Sequence, residues 1–152
     1  FIEFWDMSDV QSLPIDINDE ENIARVVFSP LMVEDGDVSP SAFFLRDLKP
    51  PEDYVSVFRH NYMEPTIENV SMIHPPKGNS IYGYALLNVG VCRGISYKEI
   101  IIDVLSHPSR SNPFHAGIHY SKSGTVIKGK CTDPDFIIVA GMLANSSEIR
   151  PF

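Results

Sequence analysis

The chain has 152 residues, 43% of them apolar, a length and composition that predict one domain able to bury a core without metal or disulfide staples. Its 20 acids and 12 bases are unevenly spread, with 13 acids and 3 bases in residues 1–53 against 7 acids and 9 bases in residues 54–152. The acidic front argues against extended nucleic-acid binding, which needs a positive field, and no apolar run approaches the roughly 20 residues of a membrane-spanning helix.

Phe1 opens the chain and Met7 is the alternative start; the segment FIEFWD reads as an ordered strand or an expression scar. Residues 7–22 are acidic and without period, which predicts an irregular surface segment. Ile23 to Pro30 is rich in β-branched residues and ends at a proline, as a strand does. The turn EDGD follows, with Gly36 supplying the permissive backbone. Ala42–Leu45 reads as a short strand and Tyr54–Phe58 as a clearer one. In the latter, Tyr54, Ser56 and Phe58 share one face, and Val55, Val57 and Arg59 the other.

EPTIENVSMI predicts one or two helical turns. Ile81–Cys92 is the most apolar strand candidate, its two glycines marking a bend or the close approach of another backbone. Residues 96–106 carry two signals. Ser96 and Glu99 make a capping box, whereas Ile-Ile-Ile-Asp-Val favours a strand; the cap and the length favour helix. HAGIHYSKSGTVIKGKC predicts a β-hairpin turning at SKSG. A mostly buried helix follows, with Thr132 or Asp133 as its N-cap and Pro134 in its first turn. Strands and helices mix without βαβ alternation, so the expected fold class is α+β, an antiparallel or mixed sheet under one or two helices.

Residues 107–121, HPSRSNPFHAGIHYS, hold three of the five histidines. On a strand, His115, Gly117 and His119 share a face, which is expected to set the two imidazoles ~7 Å apart, near enough to share a phosphate or a metal. Proton transfer by His115 and His119, with Arg59 and Arg110 binding an anion and Ser109 or Ser121 orienting it, gives the enzyme reading. That reading is a small hydrolase or transferase acting on a phosphate-bearing substrate. Arg93, after the glycine-interrupted strand, is expected to converge with the other two arginines at strand ends. Pro108, Asn112 and Pro113 predict a defined loop. HPS and HYS resemble the paired His-x-Ser/Thr motifs of two-histidine phosphoesterases, although theirs stand on separate strands far apart in the chain. Arg25, Ser56 and Glu148 occur in the order that ADP-ribosyl-transferring enzymes use, without the surrounding motifs.

Neither a nucleophile elbow, a Gly-rich phosphate loop nor a zinc-ligand spacing is present, so no cofactor and no metal are expected; His107, His115 and His119 are the only metal-ligand set to consider. Cys92 and Cys131 read as buried reduced thiols, and together with the lack of a secretory signal they place the expectation in the cytoplasm. The leading functional expectation is an interaction module docking a protein partner through the acidic first third and exposed loops.

Overall fold

The computed structural model describes residues 14–129 and 132–152. FIEFWD, the first part of the acidic segment and Cys131 lie outside the described residues. Among those described are ten strands: β1 (Asn22–Ser29), β2 (Val33–Glu34), β3 (Asp37–Val38), β4 (Val55–Arg59), β5 (Ser80–Asn88), β6 (Ser96–Tyr97), β7 (Ile100–Ser106), β8 (His115–Lys122), β9 (Thr125–Val126) and β10 (Glu148–Pro151). Helix α1 spans Val89–Gly94 and α2 spans Pro134–Ser146, with a 3-10 turn at Pro40–Phe43. The main sheet runs β10-β5-β1-β4-β8-β7-β6 with every pairing antiparallel, and β9 folds back along the end of β8. The fold is α+β and mostly sheet.

Period-two patterning decides which face is core. Along β7, Ile100, Ile102 and Val104 are buried while Ile101, Asp103 and Leu105 are exposed. The buried set continues through Ile118 and Tyr120 of β8, Val55 and Val57 of β4, and Ile23 and Val27 of β1. Phe136, Val139, Ala140 and Leu143 of α2 join the same core with Phe43 of the 3-10 turn. Asp133 caps α2 by accepting from the Asp135 N–H, and Pro134 follows it, as expected. Over the opposite face, the turns of residues 60–79 cover the β1–β5 side, where the Tyr84 hydroxyl donates to Glu64 at 2.9 Å. Among the described residues no comparable run of turns lies over the β7–β8 side.

Several expectations are corrected. Residues 96–106 form a hairpin rather than a helix: Lys98 and Glu99 both take positive φ, 45° and 71°, making the tight two-residue turn that matches strand twist. Ser96 pairs with Ile101 instead of capping. Ala42–Leu45 is not a strand, because the 3-10 turn occupies Pro40–Phe43. The apolar run from Ile81 stays extended only to Asn88, whose side chain accepts from the Val91 N–H and starts α1. Residues 67–72 are turns with no continuous helix, and the Val70 N–H donates to the Thr66 carbonyl at 3.1 Å as in a single helical turn. On α2, Ile137 and Ile138 are exposed, so that helix is buried on one side only. The close approach expected in β5 is present at Gly83, where a Cβ would lie 2.1 Å from the Arg150 carbonyl oxygen of β10.

Candidate functional site

β4, β8 and the end of β7 bring three imidazoles and a phenol ring together on the open face. His107 leaves β7 opposite His115, its N–H donating to the His115 carbonyl at 2.9 Å. Its ring lies between the other two, 6.4 Å from His115 and 4.9 Å from His119, centroid to centroid. Tyr54, just before β4, stacks on His107 at 4.2 Å with 7° between the planes, and reaches His119 at 5.2 Å and His115 at 5.8 Å. Gly117 makes this possible. A Cβ there would stand 2.4 Å from Tyr54 Cδ2 and 3.0 Å from His107 Cδ2, so only a residue without a side chain admits both rings across the strand.

The expected ~7 Å between His115 and His119 is corrected: they are four residues apart on an extended strand, which spaces their backbones about 13 Å. His107 closes the gap. Its Nε2 lies 2.7 Å from His119 Nε2, so one nitrogen donates and the other accepts, and at least one of the two rings is neutral. His115 is held differently. Its Nδ1–H donates to the His107 carbonyl at 2.9 Å, which fixes the tautomer and leaves Nε2 as a bare acceptor with no partner among the described residues. Burial, opposed by the His107 carbonyl contact, lowers the His115 pKa below the ordinary 6.5. Burial and then the neighbouring His107 lower that of His119, against the pull of Asp53 and Asp103. Both imidazoles are thereby favoured in the neutral form.

The loop carrying His107 into β8 is defined, as expected. Asn112 Oδ1 accepts from Phe114 N–H at 3.0 Å, Ser109 Oγ accepts from Asn112 N–H at 3.1 Å, and Ser109 N–H donates to the Asn112 carbonyl at 3.0 Å. His115, Ser111 and Asn112 stand between two depressions. One, of about 310 Å³, runs beneath Met72 and Ile73 onto Val26, Phe28, Ser56 and Phe58. The other is lined by Tyr54, His107, Pro108 and Ser109.

The arginines do not converge. Arg59, paired with β1 through Ile23, is 0% exposed. Its Nε–H and Nη2–H donate to Glu21 at 3.1 and 2.9 Å, and its Nη1–H to the Pro14 carbonyl. It therefore cannot reach a ligand on the open face; its period-two position on the core side of β4 already implied this. Arg93 binds Asp19 at 2.8 Å and Asp103 at 2.9 Å, and its Nη2–H donates to the Val104 carbonyl on the edge of β7. With Asp103 Oδ1 accepting from the Val104 N–H, both groups of that edge residue are occupied, a way of blunting an exposed strand. Arg110 sits at the exposed loop tip without a partner among the described residues.

The remaining candidates separate in the same way. The His-x-Ser histidines, His107 and His119, do meet on neighbouring strands, but their direct Nε2 contact leaves no space for a phosphoryl group between them. Arg25 Nη1–H donates to the Ser56 carbonyl at 3.1 Å, whereas Glu148 lies on β10, two strands from β1, and pairs with Arg150. Cys92 is buried, and burial pushes its thiol up to about 12 despite Arg93, so it is inert near neutral pH. No group of three or more metal-ligating side chains is placed to hold an ion among the described residues. None of their helices is long and apolar enough to cross a membrane. Sequence reasoning missed Tyr54 and Gly117 as parts of the cluster; Tyr54 was legible as a face-mate of Ser56, and Gly117 as the small residue between two histidines.

No protein-family model, curated protein or solved structure matches the chain. Any function is therefore read from this geometry.

Proposed function

We propose that the chain is a small hydrolase or transferase in which His115 is the general base. The observation that carries this reading is the fixed His115 tautomer. With Nδ1–H on the His107 carbonyl, the bare Nε2 belongs to a half-buried ring at the junction of two depressions, the posture of an imidazole that takes a proton at neutral pH. In such a step Nε2 accepts the proton of an attacking water or hydroxyl as its oxygen bonds to the substrate. The same proton then passes to the leaving oxygen. The His107–His119 pair, with Tyr54 stacked on it, walls the site on one side. Arg110 remains available to an anionic substrate from the loop tip, whereas Arg59 does not.

A second reading, docking of a protein partner, is favoured by Ile101 and Leu105, 55% and 44% exposed on the same face of β7. Part of the acidic first third is not free for that role, because Asp19, Glu21 and Glu52 are engaged by Arg93, Arg59 and Arg46.

The test is turnover of p-nitrophenyl acetate and p-nitrophenyl phosphate by the intact chain and by His115→Gln. The enzyme reading expects one ester to be hydrolysed faster than in buffer and the variant to lose at least ~100-fold of that acceleration. Equal rates for the two proteins would refute the role of His115.

A further inference from the structure

β1 and β4 pair at only two positions, Ile23 with Arg59 and Ala24 with Phe58, and then part, although β1 runs on to Ser29 and β4 starts at Val55. Arg25 stands where they separate. Its Nη1–H donates to the Ser56 carbonyl at 3.1 Å and its Nε–H to the Ala42 carbonyl at 2.9 Å, so the side chain bridges the split where ladder bonds would have run. A guanidinium has five N–H donors, and those two carbonyls are the only partners that Arg25 has among the described residues. No carboxylate among the described residues pairs with it. The acid whose field reaches it, Glu52, is held by Arg46 at 2.8 Å. Burial pulls the Arg25 pKa down to about 10, which still leaves it cationic at neutral pH.

A cation packed among neighbours without a counter-ion is costly, and Arg25 lines the pocket of about 310 Å³ whose mouth His115 shares. The rest of the lining is largely apolar, with Val26, Phe28, Phe58, Met72 and Ile73 around Ser56. We infer that this pocket takes a carboxylate carried on an apolar or aryl body, the carboxylate reaching the Arg25 guanidinium in the split and the body lying under Met72 and Ile73. One cation in apolar surroundings offsets one negative charge; a phosphate monoester, near −2 at neutral pH, would bring a second, unpaired charge into the same space. The volume is at the small end of the clefts of about 300–1,000 Å³ that hold small molecules, which matches a short acyl or phenylalkyl chain. This assignment rests on the enzyme reading only in taking the carboxylate compound as the substrate of His115; the binding itself does not need that histidine.

The test is calorimetric titration of the intact chain with 3-phenylpropionate, 3-phenylpropionamide and 3-phenylpropyl phosphate. The carboxylate is expected to bind at least about tenfold more tightly than the amide and than the phosphate. Arg25→Gln, checked for folding by circular dichroism, should lose that preference. Met72→Trp, at a side chain 69% exposed and so safe for folding, should weaken the carboxylate and the amide alike by narrowing the entrance. His115→Gln should retain carboxylate binding, which separates the two proposals: carboxylate binding with equal ester turnover in that variant refutes the base alone. Equal affinity for acid and amide, tighter binding of the phosphate, or a preference surviving in folded Arg25→Gln overturns the carboxylate site.

Discussion

Strand β4 carries a polar cluster at each end, and the two are built to opposite plans. At its C-terminal end Arg59 is closed in on every side, with both Glu21 oxygens and the Pro14 carbonyl on its guanidinium. Just before its N-terminal end Tyr54 leans on three imidazoles that stay half exposed, one of them with a bare ring nitrogen. Complete partnering in a dry corner fixes the chain path from residue 14 to β4. Partial partnering on an open face leaves chemistry to spare. A sequence shows both as polar residues at strand ends, and only their surroundings tell a structural arginine from a working histidine.

Removing a partner from the closed cluster should produce the largest effect. Glu21→Ala leaves the Arg59 charge buried and unpaired, so urea denaturation should report a loss of about 3–5 kcal/mol. A loss near zero would mean that water reaches Arg59 and that the contrast between the two ends is overstated. Next comes the residue that admits the open cluster. Gly117→Ala should cost about 1–3 kcal/mol through overpacking against Tyr54 and His107, and ring-proton chemical shifts of His107 and His119 should move because the rings can no longer occupy the same space. Unchanged shifts would show that the glycine is incidental.

Acid should act on the open cluster. The pKa values of His115 and His119 are lowered by folding, so the unfolded chain binds their protons first. Their contribution to stability is full above about pH 6.5 and is lost as the pH falls through that value toward the folded pKa. Denaturation midpoints between pH 8 and 5 should therefore fall on the acid side, and the double variant His115→Gln/His119→Gln should flatten the slope in that window. A slope of the opposite sign would place charged imidazoles in the native cluster. Smallest of all, Arg110→Gln should change stability by no more than ~0.5 kcal/mol, since the side chain is exposed and has no partner among the described residues.

Much of the fold could be read from local signals because these agree with the tertiary structure. Pro134 behind Asp133, the β-branched run of β1 and the SKSG turn each act within a few residues. The 96–106 segment misled because its turn uses Lys98 and Glu99 in positive φ, where Asn-Gly would have announced a hairpin. The site was half legible. His115 and His119 share a face as the strand period requires, but what unites them is His107, which follows β7 and faces His115 through the β7–β8 register, a pairing that the period of β8 alone does not encode. The misplaced expectation for Arg59 was avoidable, since its face-mates Val55 and Val57 point to the core. Arg25 shares that core-side alternation, yet the split between β1 and β4 is a long-range feature, and it is the split that makes this arginine accessible.

The tautomer of His115 is the most direct test of the whole account, and nitrogen-15 NMR of the imidazoles across pH 4.5–8 reads it. The structure predicts that His115 is neutral at pH 7 with its proton on Nδ1, that it titrates below the ordinary 6.5, and that His119 also titrates low. A His115 carrying its neutral-state proton on Nε2, or titrating at or above the ordinary value, would contradict the bare acceptor on which the proposed base depends.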